Sequence, residues 1–237
     1  MKIAIMQPYF FPYIGYFQLI SAVDTFVLYD NIKYTKKGWI NRNQWLQHGS
    51  DAVFTLPLQK ASDLLDIGQR TVAEDFDRDK FLNKLRGNYA KAPCFDEIYA
   101  LVENLLPGED RNLFRILHQS IERLCRHLGI ATNILISSAI DADHALRGEQ
   151  RVIALCHACS AYTYVNAIGG LELYSLQTFR RASLDLRFIR SRPFEYLQFG
   201  STYVPRLSIL DVLMFNPVSR VRGYLQEFDL IEAPIHA

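Results

Sequence analysis

At 237 residues, 49% hydrophobic and 22% charged, with a net charge of +1, the chain has the make-up of a globular protein. The near-neutral balance argues against duplex nucleic acid as a partner, because such binders carry a large basic excess. Lys2 is the only early positive charge and Gln7, Pro8 and Pro12 interrupt the apolar start, so no signal peptide and no membrane span are expected, and the four cysteines are expected reduced in the cytoplasm.

The length suits a single α/β domain over residues 1–237. Residues 3–7 and 25–29 are short apolar runs that read as buried strands, with a helix over 13–22 between them. Residues 53–58 read as a third strand. From Phe76 the pattern turns helical. Phe81, Leu85 and Tyr89 share one face, and Leu113, Leu117, Ile121, Leu124 and Leu128 share another, with Gly129 as a natural stop. Residues 75–130 are therefore expected as a helical insertion or subdomain. The α/β pattern then returns, with strands at 133–136, 162–167 and 184–189, a helix at 152–159, and closing helices at 208–215 and 217–228. This alternation predicts a mainly parallel, Rossmann-like sheet, whose strand carboxyl ends are where ligands sit.

Three loops fall at those ends. Residues 7–17, QPYFFPYIGYF, are stiffened by Pro8 and Pro12, and Gly15 permits close approach at a helix start. The free N–H groups of that helix would suit an anion. Gln7 and Tyr9 are the candidate ligand contacts there; the alternative is a rigid aromatic turn that plugs the core. The loop is similar to the strand-loop-helix opening of nucleotidyltransferases in its Phe10, Pro12 and Gly15 spacing. It lacks their two histidines, since Ile14 and Tyr16 flank the glycine.

Residues 29–43 gather Asp30, Asn31, Lys33, Lys36, Lys37, Asn41, Arg42 and Asn43 around Tyr34 and Trp39. Cations and amides suit phosphate or carboxylate groups, and Trp39 could stack on a base or a sugar ring. In the third loop Gly169 and Gly170 follow the strand that ends at Asn166, and they permit close approach to a ligand or a plain tight turn.

Other features read as structural. Ser208 and Asp211 have capping-box spacing, and Asn216 before Pro217 fits an N-cap. Cys156 and Cys159 form a lone CxxC whose only further zinc ligands would be Cys125 and His127, so buried thiols are expected. His144, beside Asp141 and Asp143, is a minor candidate for a general base.

The run KIAIMQPYFFPYIGYFQLI, the Asp30-Asn31 pair, WINRN at 39–43, Gly169-Gly170 and LSILDVLMFN at 207–216, in that order, resemble the WbqC-like family. The resemblance spans nearly the whole chain. It implies a transferase acting on the sugar building blocks of O-antigen and other surface polysaccharides, with a glycine transferase role proposed for some members. The matching polar positions are Gln7, Asp30, Asn31, Asn41, Arg42, Asn43, Gly169, Gly170, Ser208 and Asp211. One departure is Asn166-Ala167, where members often carry Ser-Gly.

These readings combine into transfer of a small acyl or aminoacyl group, such as glycyl, onto a nucleotide-linked amino sugar. Asp30 would be the base. Asn31, Asn41, Asn43 and Arg42 would orient the ligand, and Tyr9 and Trp39 would stack on it. This reading requires no cofactor. Two alternatives stand beside it: nucleotidyl transfer with Mg²⁺ at Asp30, and a non-catalytic sugar-nucleotide-binding protein.

Overall fold

Side-chain alternation along the central strands builds two apolar layers, one on each side of a sheet. In the computed structural model, which describes residues 1–200 and 202–232, the elements are β1 (Lys2–Met6), α1 (Ile14–Ser21), β2 (Thr25–Leu28), β3 (Arg42–Gln47), β4 (Ser50–Thr55), α2 (Arg78–Tyr89), α3 (Phe95–Glu103), α4 (Leu113–Leu128), β5 (Asn133–Ile136), α5 (Gly148–Ala158), β6 (Thr163–Ala167), α6 (Leu176–Arg181), β7 (Asp185–Ser191), α7 (Ile209–Phe215), α8 (Val218–Tyr224) and β8 (Phe228–Glu232). Six strands form one sheet in the order β5-β2-β1-β6-β7-β8. The first five are parallel and β8 is antiparallel at the edge.

Ala4, Phe26, Leu28, Val165 and Ile189 face the layer that holds α1, α4 and α7. Ile3, Ile5, Val27, Tyr164, Leu186 and Phe188 face the layer that holds α5 and Phe179 of α6. Helices therefore cover both faces, as in a Rossmann-like α/β fold. Among the described residues no helix is long and apolar enough to cross a membrane.

The connection from β2 to β5 carries β3, β4 and helices α2 to α4. Asp77 caps α2 by accepting from Lys80 N at 2.8 Å, and Asn112 caps α4 by accepting from Arg115 N at 3.0 Å. Gly129 ends α4 in the left-handed region at φ 74°, as its position suggested. The stripe Leu113, Leu117, Ile121, Leu124 and Leu128 is buried, and each such side chain contributes about 1.5–3 kcal/mol. It packs in the same layer as Phe17 and Leu213.

Several elements depart from the sequence expectations. The strand expected at 53–58 is β4, which ends at Thr55 and lies outside the main sheet. It pairs with β3 as a hairpin, Arg42 against Thr55 through Gln47 against Ser50. The polar run RNQWLQ concealed β3, because only Asn43, Trp45 and Leu46 are buried in it. The helix expected at 217–228 stops at Tyr224, and the chain turns into β8, too short and too exposed to show alternation. The sequence reading also passed over α6, whose only buried side chain is Phe179.

Candidate functional site at the carboxyl ends of the strands

The topology places a switch point between β1 and β6. From β1 the chain crosses over α1 to β2 on one side, and from β6 it crosses over α6 to β7 on the other. Crevices at such points are the usual ligand sites of open α/β sheets. The ladder between β1 and β6 stops at Ile3 against Tyr164. Its neighbours continue to the carboxyl ends, Met6 against Leu28 on one side and Ala167 against Ile189 on the other. The two half-sheets are thus paired only at their amino ends.

The loops after β1, β2, β5 and β6 leave the carboxyl ends of these strands. Gln7 follows β1. Its carbonyl accepts from the Tyr16 hydroxyl at 2.9 Å, and among the described residues its side-chain amide has no partner. Tyr9 is half-buried with its ring 5.5 Å from that of Tyr16, and burial raises its hydroxyl above the ordinary value. Asp30 follows β2. Its Oδ1 accepts from Ser138 N at 2.9 Å, and its carbonyl accepts from Gly68 N at 2.7 Å.

Asn31 belongs to a cluster that the sequence reading did not assemble. His144 Nε2 lies 3.0 Å from the Ile140 carbonyl. A carbonyl can only accept, so Nε2 carries the hydrogen and Nδ1 the lone pair. Asn31 Nδ2 at 3.2 Å and Arg151 Nη2 at 3.4 Å both point at that lone pair. Both ring nitrogens of His144 are thus engaged, one with Ile140 and the other with Asn31 and Arg151. Arg151 also donates to the Asn31 carbonyl at 3.0 Å and lies 5.2 Å over the Tyr29 ring. Burial, opposed by Arg151, raises the Tyr29 hydroxyl well above its ordinary range and keeps it neutral. Asn31 Oδ1, Arg151 Nε and Ser137 Oγ are buried with no partner among the described residues. Arg151 carries no sequence signal, being one arginine beside the apolar stripe of α5.

The third loop is placed as a close approach. A Cβ on Gly170 would lie 2.5 Å from Asn166 Nδ2, whereas Gly169 has open space. Asn166 is buried, and its Oδ1 accepts from Ala167 N at 2.8 Å.

Four other candidates lie on the chain between β2 and β3 and on β3 itself. Asn41 accepts from the Tyr34 hydroxyl and donates to the Leu56 carbonyl, both at 2.8 Å. Asn43 donates to the carbonyls of Phe10 and Phe11 at 3.1 and 2.9 Å. Both are buried, so their amides are spent on the fold rather than aimed at a ligand. Arg42 donates to the carbonyls of Gly38 and Lys37 at 3.1 and 2.8 Å and lies 5.7 Å over Trp39. Trp39 keeps an exposed ring, while its carbonyl accepts from Phe10 N at 3.2 Å. The β1–α1 loop is thus also the aromatic plug of the alternative reading. Phe10 and Phe11 are fully buried, and Phe11 sits at φ 45°, held by Asn43 and by the Ser208 hydroxyl at 2.7 Å.

The capping box at Ser208 is not formed. Ser208 accepts from Leu210 N at 3.2 Å, but Asp211 turns into the core. There it accepts from the hydroxyls of Tyr89 at 2.7 Å and Tyr196 at 2.6 Å and from Gln198 Nε2 at 2.8 Å. Asn216 does not start α8. It closes α7 by donating to the Val212 carbonyl at 2.9 Å. Cys156 is buried with its thiol pushed up to about 12, but Cys159, at the end of α5, is only half-buried; both are free thiols. Among the described residues no three His, Cys, Asp or Glu side chains gather in a metal-binding group.

A depression of about 560 Å³ lies at the opposite, amino end of the sheet, lined by Asp24, Gly129, Thr132 and Arg222 among others. None of the candidate residues reaches it. Arg222 there donates to the Leu128 carbonyl at 3.0 Å, closing the end of α4.

No solved structure matches the chain. It is similar to the uncharacterized protein Rv1507c of Mycobacterium tuberculosis, 29% identical over 228 residues, which covers 95% of this chain and 97% of the relative. The model of the WbqC-like protein family matches residues 7–223. The chain belongs to the WbqC-like protein family.

Proposed function

We propose that this protein binds a nucleotide-linked amino sugar in the crevice between β1 and β6 and transfers a small acyl or aminoacyl group, such as glycyl, onto the sugar amine. The product would be a building block of O-antigen or another surface polysaccharide. The reading is supported by the sheet's opening at its switch point and by polar groups on the loops after these strands that have no partner among the described residues. In the step proposed, the amine nitrogen attacks the acyl carbonyl, the C–N bond forms, and the bond to the leaving group breaks. Asp30 takes the amine proton through Oδ2, since Oδ1 is held by Ser138 N. In this reading neutral Tyr29 and the Gln7 amide donate to the developing oxyanion. Asn31 Oδ1 and the guanidinium of Arg151 orient the acceptor.

Thermal-shift and titration experiments with nucleotide-linked amino sugars, beside a product assay, test this. Asp30→Asn is expected to keep binding and to lower turnover by about a hundredfold or more, the scale of acid/base groups. Full turnover in that variant would remove Asp30 from the chemistry. Absence of binding by any amino-sugar nucleotide would refute the reading as a whole.

A further inference from the structure

The loop after β2 is laid against a second loop, residues 59–70, as an antiparallel ribbon. Tyr34 N donates to the Leu65 carbonyl at 3.1 Å, Ile67 N to Ile32 at 2.9 Å and Gly68 N to Asp30 at 2.7 Å, with a bridge at Lys33 and Asp66. The ribbon thereby starts at Asp30, two residues after β2. Residues 30–42 and 59–70 hold six lysines and arginines against three aspartates, an excess the rest of this near-neutral chain does not share.

Arg70 is the anomaly. It is 5% exposed, yet among the described residues no carboxylate pairs with it. It donates to the carbonyls of Ser62 and Gln59 at 3.1 and 3.3 Å, and its guanidinium lies 4.8 Å over the Tyr34 ring. Its Nε is buried without a partner. Burying a guanidinium without a counter-charge is costly, even with carbonyls and a ring face to soften it. Arg42, at the start of β3, likewise meets carbonyls and the Trp39 ring with no acid among the described residues. The exposed contact of Lys36 with Asp63 at 2.8 Å supplies the nearby anion. The Asp63 carboxyl is held below its usual range by that Lys36 bond first, and also by the charges of Lys33 and Arg70, so all three cations act at one spot.

We propose that this ribbon is a diphosphate-binding surface, in which Lys33, Lys36 and Arg42 take the phosphate oxygens over Arg70 and Asp63 stands where the ligand's charge would lie. The diphosphate identity rests on the reading of the substrate as nucleotide-linked. A diphosphate can meet Lys33, Lys36 and Arg42 together above the uncompensated charge of the buried Arg70, which a single carboxylate cannot do.

Isothermal titration with inorganic pyrophosphate tests the surface, with nucleotide-linked amino sugar and a single-stranded oligonucleotide as parallel arms. The wild-type protein is expected to bind one pyrophosphate. Lys33→Ala with Lys36→Ala, both exposed and compatible with folding, is expected to weaken it at least tenfold. Asp63→Asn releases Lys36 and is expected to tighten it several-fold. Equal pyrophosphate affinity in all three proteins, or no binding, would overturn the inference. An oligonucleotide that binds more tightly than pyrophosphate and loses affinity in the lysine variant would also overturn it, in favour of nucleic acid. Amino-sugar nucleotide binding that survives loss of the lysines leaves the crevice reading standing and defeats this one. Pyrophosphate binding without any sugar-nucleotide binding does the reverse.

Discussion

Phenylalanine at Tyr89 and at Tyr196 removes the same atom from opposite sides of one buried carboxylate, and the structure says that the two losses differ. Each hydroxyl donates to Asp211, at 2.7 Å from Tyr89 and 2.6 Å from Tyr196. A hydrogen bond to a charged group contributes about 1.5–3 kcal/mol. For Tyr196→Phe that is the whole loss, and Gln198 remains on the same oxygen, which pulls the cost toward the lower end. Tyr89 is also an acceptor: Leu46 N of β3 donates to its hydroxyl at 2.8 Å, in the core. Tyr89→Phe therefore also strands a buried N–H, adding about 1–3 kcal/mol. The expected costs are about 2.5–6 kcal/mol for Tyr89→Phe and about 1.5–3 kcal/mol for Tyr196→Phe. Urea unfolding at neutral pH, with equal slopes checked, measures both. Equal costs, or a larger cost at Tyr196, would refute the claim that Tyr89 relays between the β3–β4 hairpin and α7.

Gly170→Ala is expected to cost about 1–3 kcal/mol, because its methyl would press on the buried Asn166 amide, whereas Gly169→Ala should stay within about 0.5 kcal/mol; chemical denaturation of the two variants checks the contrast, and equal effects would contradict the placement of that loop. Two carboxyls should give stability–pH trends of opposite sign. Hydrogen bonding from Arg115 holds Asp110 down to about 2, so its contribution is present above the ordinary carboxylate value of about 3.9 and lost as pH falls through about 2. Burial, against the donors of Tyr196, Tyr89 and Gln198, raises Asp211, so its contribution is greatest below the ordinary value and falls as pH rises through the raised one. Urea midpoints of Asp110→Asn and Asp211→Asn relative to wild type across the acid range measure both slopes, and trends of the same sign would refute the assignment.

The parallel core of the fold was legible because it is written in local apolar runs: residues 3–7, 25–29, 133–136 and 162–167 fall on β1, β2, β5 and β6 within a residue or two. β3 was not legible. Its buried amide, Asn43, is satisfied by partners distant in sequence, the carbonyls of Phe10 and Phe11. The same reason divides the candidate residues. Sequence shows that Asn31, Asn41 and Asn43 are amides in one loop. Only the fold shows that Asn41 and Asn43 are spent on carbonyls while Asn31 meets His144 and Arg151 across more than a hundred positions. Arg70 is in the same position. Nothing in its sequence neighbourhood says that it will be buried without an acid.

The antiparallel edge strand β8 has a consequence for how copies of this chain behave at high concentration. A sheet edge is a template for another strand, and long, flat, apolar edges recruit one. Here Asp229 and Glu232 of β8 pair with Arg190, Arg192 and Arg187 next to them, so the outer rung of the sheet carries a lattice of fixed charges. The opposite rim is β5, only four residues long. A second molecule approaching either rim in register would have to desolvate those ion pairs or settle for a very short ladder. Both rims of the sheet, as far as the described residues go, thus work against the addition of a strand from another molecule.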